Sequence, residues 1–401
     1  MQRKRQALIL LCLCVLGLAP GCWDSRELNE LAITVGLGLD KSGDNVKVTT
    51  QIVNPGEVAS KQGNQGNRMP FTTISSTEQT VIEALRKQTI ILPRAVFTSH
   101  LRILVIGEEL ARDGILKVMD GLSRNREMRS DFYIIVARDA EAEDILATLT
   151  PMERISAYKM FKTLEMSAEE WAPTVDVEMD QLLHDLANPL KDTVLAGMVI
   201  EGNKEVGSEA HNLDRSKPFT SLVFSGLALF RDDKLVDWLN SQESKGYNYI
   251  MNNVDTTAGH LACPDGDGFI AMEVTHAKSS INGSVDQEGE PFIDLSFQLE
   301  ENVGEAQCEM DLSDTASLER LERVATRQLE EIVRQTIAKA QRNKADIFGF
   351  GERIEDAAPR EWLRLKDDWR ERFAKLKVNI EVDLKVRRIG TTINPLSDRK
   401  E

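Results

Sequence analysis

The chain has 401 residues, with 65 Asp and Glu against 49 Lys and Arg and a formal charge of −16. Its length accommodates two or three domains, and 41% apolar with 28% charged residues is a globular composition. The acidic balance argues against nucleic acid as the main partner and against polybasic adsorption to anionic lipid, and 5% aromatics leave little for a stacking platform.

Residues 1–21 carry Arg3, Lys4 and Arg5 but no acid, followed by an apolar run from Ala7 to Ala19. That run is too short to span a bilayer comfortably and suits the apolar region of a secretory signal. Leu18-Ala19-Pro20-Gly21-Cys22 then has the form of a bacterial lipobox, with Ala19 in the usual leucine place. In this reading Cys22 is acylated and becomes the new N-terminus; the plainer reading is ordinary signal cleavage with Cys22 left as a thiol. Two or more acyl chains, at about 0.8 kcal/mol per buried CH₂, hold a protein stably. Removal of residues 1–21 takes the charge from −16 to −19. No later stretch approaches the ~18 uninterrupted apolar residues of a span.

Beyond a polar stretch from Trp23 to Glu30, Leu31 to Leu39 reads as a buried strand. A turn at Lys41–Asp44 leads to alternating Val46, Val48, Thr50 and Ile52, which predicts a hairpin. Residues 55–67, rich in Gly, Asn and Gln, read as a loop. Ser76 and Gln79 form a capping-box pattern ahead of a helix bearing Val81, Ile82 and Leu85. A strand core at Ile103–Ile106, a helix over 108–123, a strand over 131–137 and a helix over 141–149 predict a βαβ unit. Thr193 to Glu201 reads as a further strand, and Gly202 to Pro218 as an exposed connection.

The second half opens with a strand over 221–230, a turn at Arg231–Lys234, and a continuation through Trp238. Strands follow at 269–276 and 292–299. Leu318, Leu321, Val324, Ala325, Leu329, Ile332, Val333, Ile337 and Ala340 recur at helical steps and predict one long amphipathic helix. Pro359 opens a shorter helix with Trp362, Leu365, Trp369, Phe373 and Leu376 in one stripe. Val378, Ile380, Val382, Leu384 and Val386 alternate with polar residues, a strand with one wet face. The expected fold class is α+β and multidomain. Residues 1–21 form the signal, 22–190 a mixed α/β domain with the βαβ unit, 191–220 a connection, and 221–395 a largely antiparallel sheet packed on the long helix.

No constellation for catalysis stands out. Histidines at 100, 184, 211, 260 and 276 lack the spacing of paired metal ligands on a helix. Asp265 and Asp267 resemble the opening of a calcium loop, but His276 stands where the bidentate acid belongs, so a surface turn is preferred. Arg124, Arg126 and Arg129 read as a solvated helix end. Trp362 and Trp369 read as core rather than interface. Cys263 and Cys308 fit either a disulfide or two buried thiols and match no zinc pattern. Paired glycines at 36 and 38, and at 349 and 351, mark close backbone approach or positive-φ turns, with Phe348 and Phe350 read as core.

The run Cys22-Trp-Asp-Ser-Arg-Glu-Leu-Asn-Glu-Leu-Ala32, with Val35-Gly-Leu-Gly-Leu-Asp40, resembles the mature start of the Ger(x)C lipoproteins. These are the C subunits of spore germinant receptors in endospore-forming bacteria. The resemblance continues in Ser99 to Ala111, in Gly226 to Val236 and in Asp346-Ile-Phe-Gly-Phe-Gly351, in the expected order. It implies a lipoprotein anchored through Cys22 on the outer face of the spore inner membrane, beside two integral membrane subunits. It also implies several α+β domains, no catalysis and no cofactor. The alternative is a solute-binding lipoprotein delivering a small ligand to a transporter, which calls for two doubly wound lobes around a cleft. An anchored hydrolase lacks a nucleophile or metal constellation.

Overall fold

Strand β1 (Leu31–Ser42) turns at Gly43 into β2 (Asn45–Val53), and the two pair antiparallel as the alternation predicts. In this computed structural model, residues 27–58, 69–214, 216–264, 267–308, 310–312 and 314–388 are described, with Gln2, Arg5 and Gln6 of the leader. Cys22, most of the signal, Asp265 and most of the 55–67 loop lie outside them; within that loop Pro55–Val58 forms one helical turn.

The first sheet has nine strands. β3 (Phe71–Glu78), β4 (Ala95–Phe97), β5 (Ile103–Gly107), β6 (Tyr133–Ala137), β7 (Val194–Gly202), β8 (Thr220–Arg231) and β9 (Lys234–Leu239) complete it. Its order is β3-β2-β1-β5-β6-β7-β8-β9, with β4 beside the start of β1. β1, β5, β6 and β7 run parallel, and antiparallel strands finish both edges. Parallel strands are buried on both faces, which is why Ile103–Ile106 and Ile134–Ala137 are continuous apolar runs. The predicted βαβ unit is β5, the helices Glu108–Asp113 and Leu116–Ser123, and β6. The expected single helix over 108–123 is two, because Gly114 sits at φ +129 between them.

The second sheet has four strands, β10 (Thr257–Ala262), β11 (Phe269–Val285), β12 (Pro291–Ala306) and β13 (Lys377–Arg388), in that order. β10, β11 and β12 are antiparallel, whereas β13 lies parallel to β12 after the helical crossover. The long helix, Thr315–Asn343, starts where Asp314 accepts a hydrogen bond from the Ser317 N–H at 3.0 Å. Leu321, Ala325, Leu329, Val333, Ile337 and Ala340 form its buried stripe against the sheet and the helix Ser241–Ile250. The fold is therefore α+β with two sheets.

Further details differ from what the sequence predicts: the helix opened by Pro359 is two, Pro359–Leu365 and Trp369–Phe373, separated by a tighter turn over Lys366–Asp368. Ser76 belongs to β3, and the helix Val81–Lys87 is capped by Thr80, whose Oγ1 accepts from the Glu83 N–H and donates to the Glu83 carboxylate. A cap must directly precede the first helical residue, and Thr80 does. Helices such as Ser156–Glu170, Met179–Ala187, Ser241–Ile250 and Phe350–Ala357 stand where none was expected. Residues 191–220 contribute β7 to the core, and β8 and β9, at the start of the 221–395 stretch, join the first sheet.

Candidate functional site

The sequence motifs converge on three junctions. In the first, Gly36 and Gly38 on β1 lie under the helix Ala142–Ala147. A β-carbon on Gly36 would lie 2.8 Å from Leu146 Cδ2, and one on Gly38 would lie 3.1 Å from Ala142 Cβ. Asp40, buried two residues on, accepts from the Ala142 N–H at 2.7 Å and the Glu143 N–H at 3.1 Å. The Gly-Leu-Gly-Leu-Asp segment of β1 is thus a seat: its glycines admit the helix, and its carboxylate caps the helix N-terminus. Burial pushes the Asp40 carboxyl up to about 6, against the two backbone hydrogen bonds.

The second junction joins β9 to the βαβ helices. Trp238 Nε1 donates to Glu108 at 3.1 Å, and the Asp233 carboxylate accepts from the Leu116 N–H at 3.2 Å. The third surrounds Asp346, at the start of the Ile-Phe-Gly-Phe-Gly segment. Its buried carboxylate accepts from the N–H groups of Phe350 (3.0 Å) and Gly351 (2.8 Å) and from Trp369 Nε1 (3.0 Å). Burial raises this carboxyl to about 7, although all three hydrogen bonds favour its ionised form. Next to it, Asp192 accepts from the Asp232 and Asp346 N–H groups and pairs with Arg370 at 3.2 Å. Gly349 takes φ +69, and the rings of Phe348 and Phe350 stack at 4.9 Å inside the core. Trp362 and Trp369 are likewise buried, edge to face at 5.1 Å.

The other residues singled out by sequence do not assemble. All five histidines are exposed. Arg124 pairs with Asp120 at 2.9 Å and Arg129 with Asp131 at 3.0 Å, on the surface. No group of three His, Cys, Asp or Glu among the described residues is placed to hold a metal ion. Cys263 and Cys308 form a disulfide, with Cα atoms 6.2 Å apart, which resolves the choice that spacing left open.

One cavity gathers ionisable groups that the sequence reading passed over. It measures about 220 Å³ and lies between the helices Ser241–Ile250 and Thr315–Asn343 and the second sheet. Trp171, Gln242 and His260 are exposed at its mouth, while Tyr249, Leu299, Glu301 and Leu329 are buried in its floor. Lys245 is 8% exposed; its ammonium donates to Thr257 Oγ1 at 3.1 Å and to the Ala258 carbonyl at 2.9 Å, 3.6 Å from the Trp171 ring centre. Burial lowers its pKa to about 8. Glu301 is 7% exposed, and its buried Oε2 has no hydrogen-bond partner. Burial pushes that carboxyl up to about 7. A signal for Glu301 was present: Ile293, Leu295, Phe297, Leu299, Glu301 and Val303 share one face of β12, so the acid is in phase with the core. Lys245 has no such signal.

Two family models match, "Spore germination protein N-terminal domain" over residues 24–200 and "Spore germination B3/ GerAC like, C-terminal" over 225–390. Among curated relatives, spore germination protein KC of Bacillus subtilis (strain 168) is 31% identical over 99% of this chain and 98% of its own length. Spore germination protein B3 of the same organism is 23% identical over 96% of each chain. The crystal structure of the GerBC protein superposes with a TM-score of 0.56 at 19% identity, covering 90% of this chain and 99% of that one, a likeness of fold.

Proposed function

Because this chain belongs to the Ger(x)C family of spore germination proteins, we propose that it is a lipid-anchored, non-enzymatic subunit of a spore germinant receptor. In this reading Cys22 carries the acyl chains and holds the protein on the outer face of the spore inner membrane. There it supports assembly and signalling with two integral membrane subunits. The observation that carries the proposal is similarity along nearly the full length to spore germination protein KC.

The placement of the motif residues supports a role in assembly. Gly36, Gly38 and Asp40 seat a helix, Trp238 and Asp233 join β9 and its turn to the βαβ helices, and Asp346 ties the C-terminal helices together. Residues used in this way set a shape rather than a reaction. Among the described residues no helix is long and apolar enough to cross a membrane, so attachment falls to lipid and partners. The solute-binding alternative needs two similar doubly wound lobes, whereas the sheets here have nine mixed strands and four mostly antiparallel ones.

The test is Cys22→Ala in the full-length chain. Membrane fractionation should show loss of the protein from the spore inner membrane, with slower nutrient-triggered germination. Retention in the membrane with ordinary germination would overturn the anchor.

A further inference from the structure

The cavity below Trp171 holds a buried cation and a buried anion that are not paired with each other. We propose that it binds a small zwitterion, whose ammonium group meets Glu301 and whose carboxylate lies toward Lys245. This goes beyond the receptor assignment and stands whether or not Cys22 is acylated.

Glu301 carries the argument. A carboxylate oxygen buried without a donor has given up its hydrogen bonds to water with nothing in return, a cost that grows when the group is charged. Protonation relieves the charge but still leaves Oε2 without a partner, whereas the ionised form, acceptor-only, is satisfied by an arriving donor. An ammonium group supplies a charge-assisted hydrogen bond, the strongest kind available there. Lys245 selects the other end. It has three donors, of which Thr257 and Ala258 take two, and no carboxylate of the described residues pairs with it. The face of the Trp171 ring lies against the same ammonium.

The two charges discriminate together. A simple anion would face Glu301, and a simple cation would face Lys245. An uncharged apolar molecule would leave Glu301 as it is. A cavity of about 220 Å³ also limits the occupant to a molecule well below drug size. Such a ligand would touch the second sheet through Glu301, the long helix through Leu329, and the end of the Ser156–Glu170 helix through Trp171. Occupancy would therefore link these three elements.

Calorimetry on the full chain in detergent, near pH 7.5, tests this with glycine, 4-aminobutanoate and 6-aminohexanoate, which carry the same charges at increasing separation. Ethylamine and propionate supply each charge alone. At least one zwitterion should bind with Kd below about 1 mM and about tenfold or more tighter than either single-charge probe. Glu301→Gln should weaken that binding at least about tenfold. Near-UV circular dichroism checks each variant's fold. Lys245→Met should weaken binding similarly; if it does not fold, Glu301→Gln alone decides. The proposal fails if no zwitterion binds, if ethylamine or propionate binds as tightly, or if Glu301→Gln binds as well as the parent.

Discussion

Asp192 and Asp346 hold each other by reciprocal hydrogen bonds: the Asp192 N–H donates to the Asp346 carbonyl at 2.9 Å, and the Asp346 N–H donates to the Asp192 carboxylate Oδ2 at 2.9 Å. One lies just before β7 in the first sheet, the other just after the long helix. Arg370 bridges Asp192 and Asp232, closing the loop between them. This contact fixes how the second sheet and its helices sit on the first. Asp346→Ala should therefore cost about 3 kcal/mol or more, since two backbone N–H groups and Trp369 Nε1 lose their buried acceptor. Trp369→Phe removes one donor of the three and should cost less. Urea denaturation of both variants gives the order.

A second prediction concerns pH. Glu301 has its carboxyl raised by burial from 4.5 to about 7, so the folded chain holds that proton more tightly than the unfolded chain does. Its effect on stability is absent below pH 4.5, grows as pH rises, and is complete above about 7, where the charged form is buried. Glu301→Gln should match the parent in acid and exceed it at neutral pH, by about 3 kcal/mol at most. Thermal melts from pH 4 to 8 measure the gap. A gap that shrinks with rising pH would contradict the burial.

The disulfide gives a third. Cys263 and Cys308 close a loop of 45 residues around β11 and β12. Replacing both with Ser should cost about 2–4 kcal/mol, mostly through a less restricted unfolded chain. A reductant should lower the melting temperature of the parent and leave the double variant unchanged.

The helix seat on β1 gives a fourth. Gly38→Ala puts a methyl 3.0 Å from Leu146 Cδ1 and 3.1 Å from Ala142 Cβ, so the packed side chains must give by a few tenths of an ångström. A loss of about 1–3 kcal/mol is expected, in the range for overpacked cores. Gly43→Ala, in the open turn of the same hairpin, meets no atom within 4 Å and carries only the strain of φ +61. Its smaller loss serves as the control.

Where burial follows a period, the fold was readable in advance. Leu321 to Ala340 mark the long helix, Val46 and Val48 a strand, and Val378 to Val386 the last strand. β3 escaped because Phe-Thr-Thr-Ile-Ser-Ser-Thr-Glu is half-buried and mostly polar, held by bonds such as Thr49 to Ser75 at 2.9 Å. The helix Ser156–Glu170 escaped because its buried face is Ser156, Ala157, Met160 and Leu164, too small and mixed to stand out. The membership of β8 and β9 in the first sheet depends on pairing across the chain, which no local pattern records. The motif residues were legible as a family signature, but their roles as seats and caps depend on partners such as Ala142 and Trp369, far along the chain. Lys245 lies in Ser-Gln-Glu-Ser-Lys-Gly-Tyr-Asn-Tyr-Ile, a polar helix buried between larger elements, and composition there misleads.

The most direct test of the receptor assignment is affinity purification of the tagged full-length chain from detergent-solubilised spore inner membrane, followed by mass spectrometry and quantitative stoichiometry. The account predicts that two multi-spanning membrane proteins co-purify in fixed ratio to this chain, and that the ratio falls sharply for Cys22→Ala. Recovery of the chain alone from the membrane, or with a transport ATPase in place of those two subunits, would contradict it.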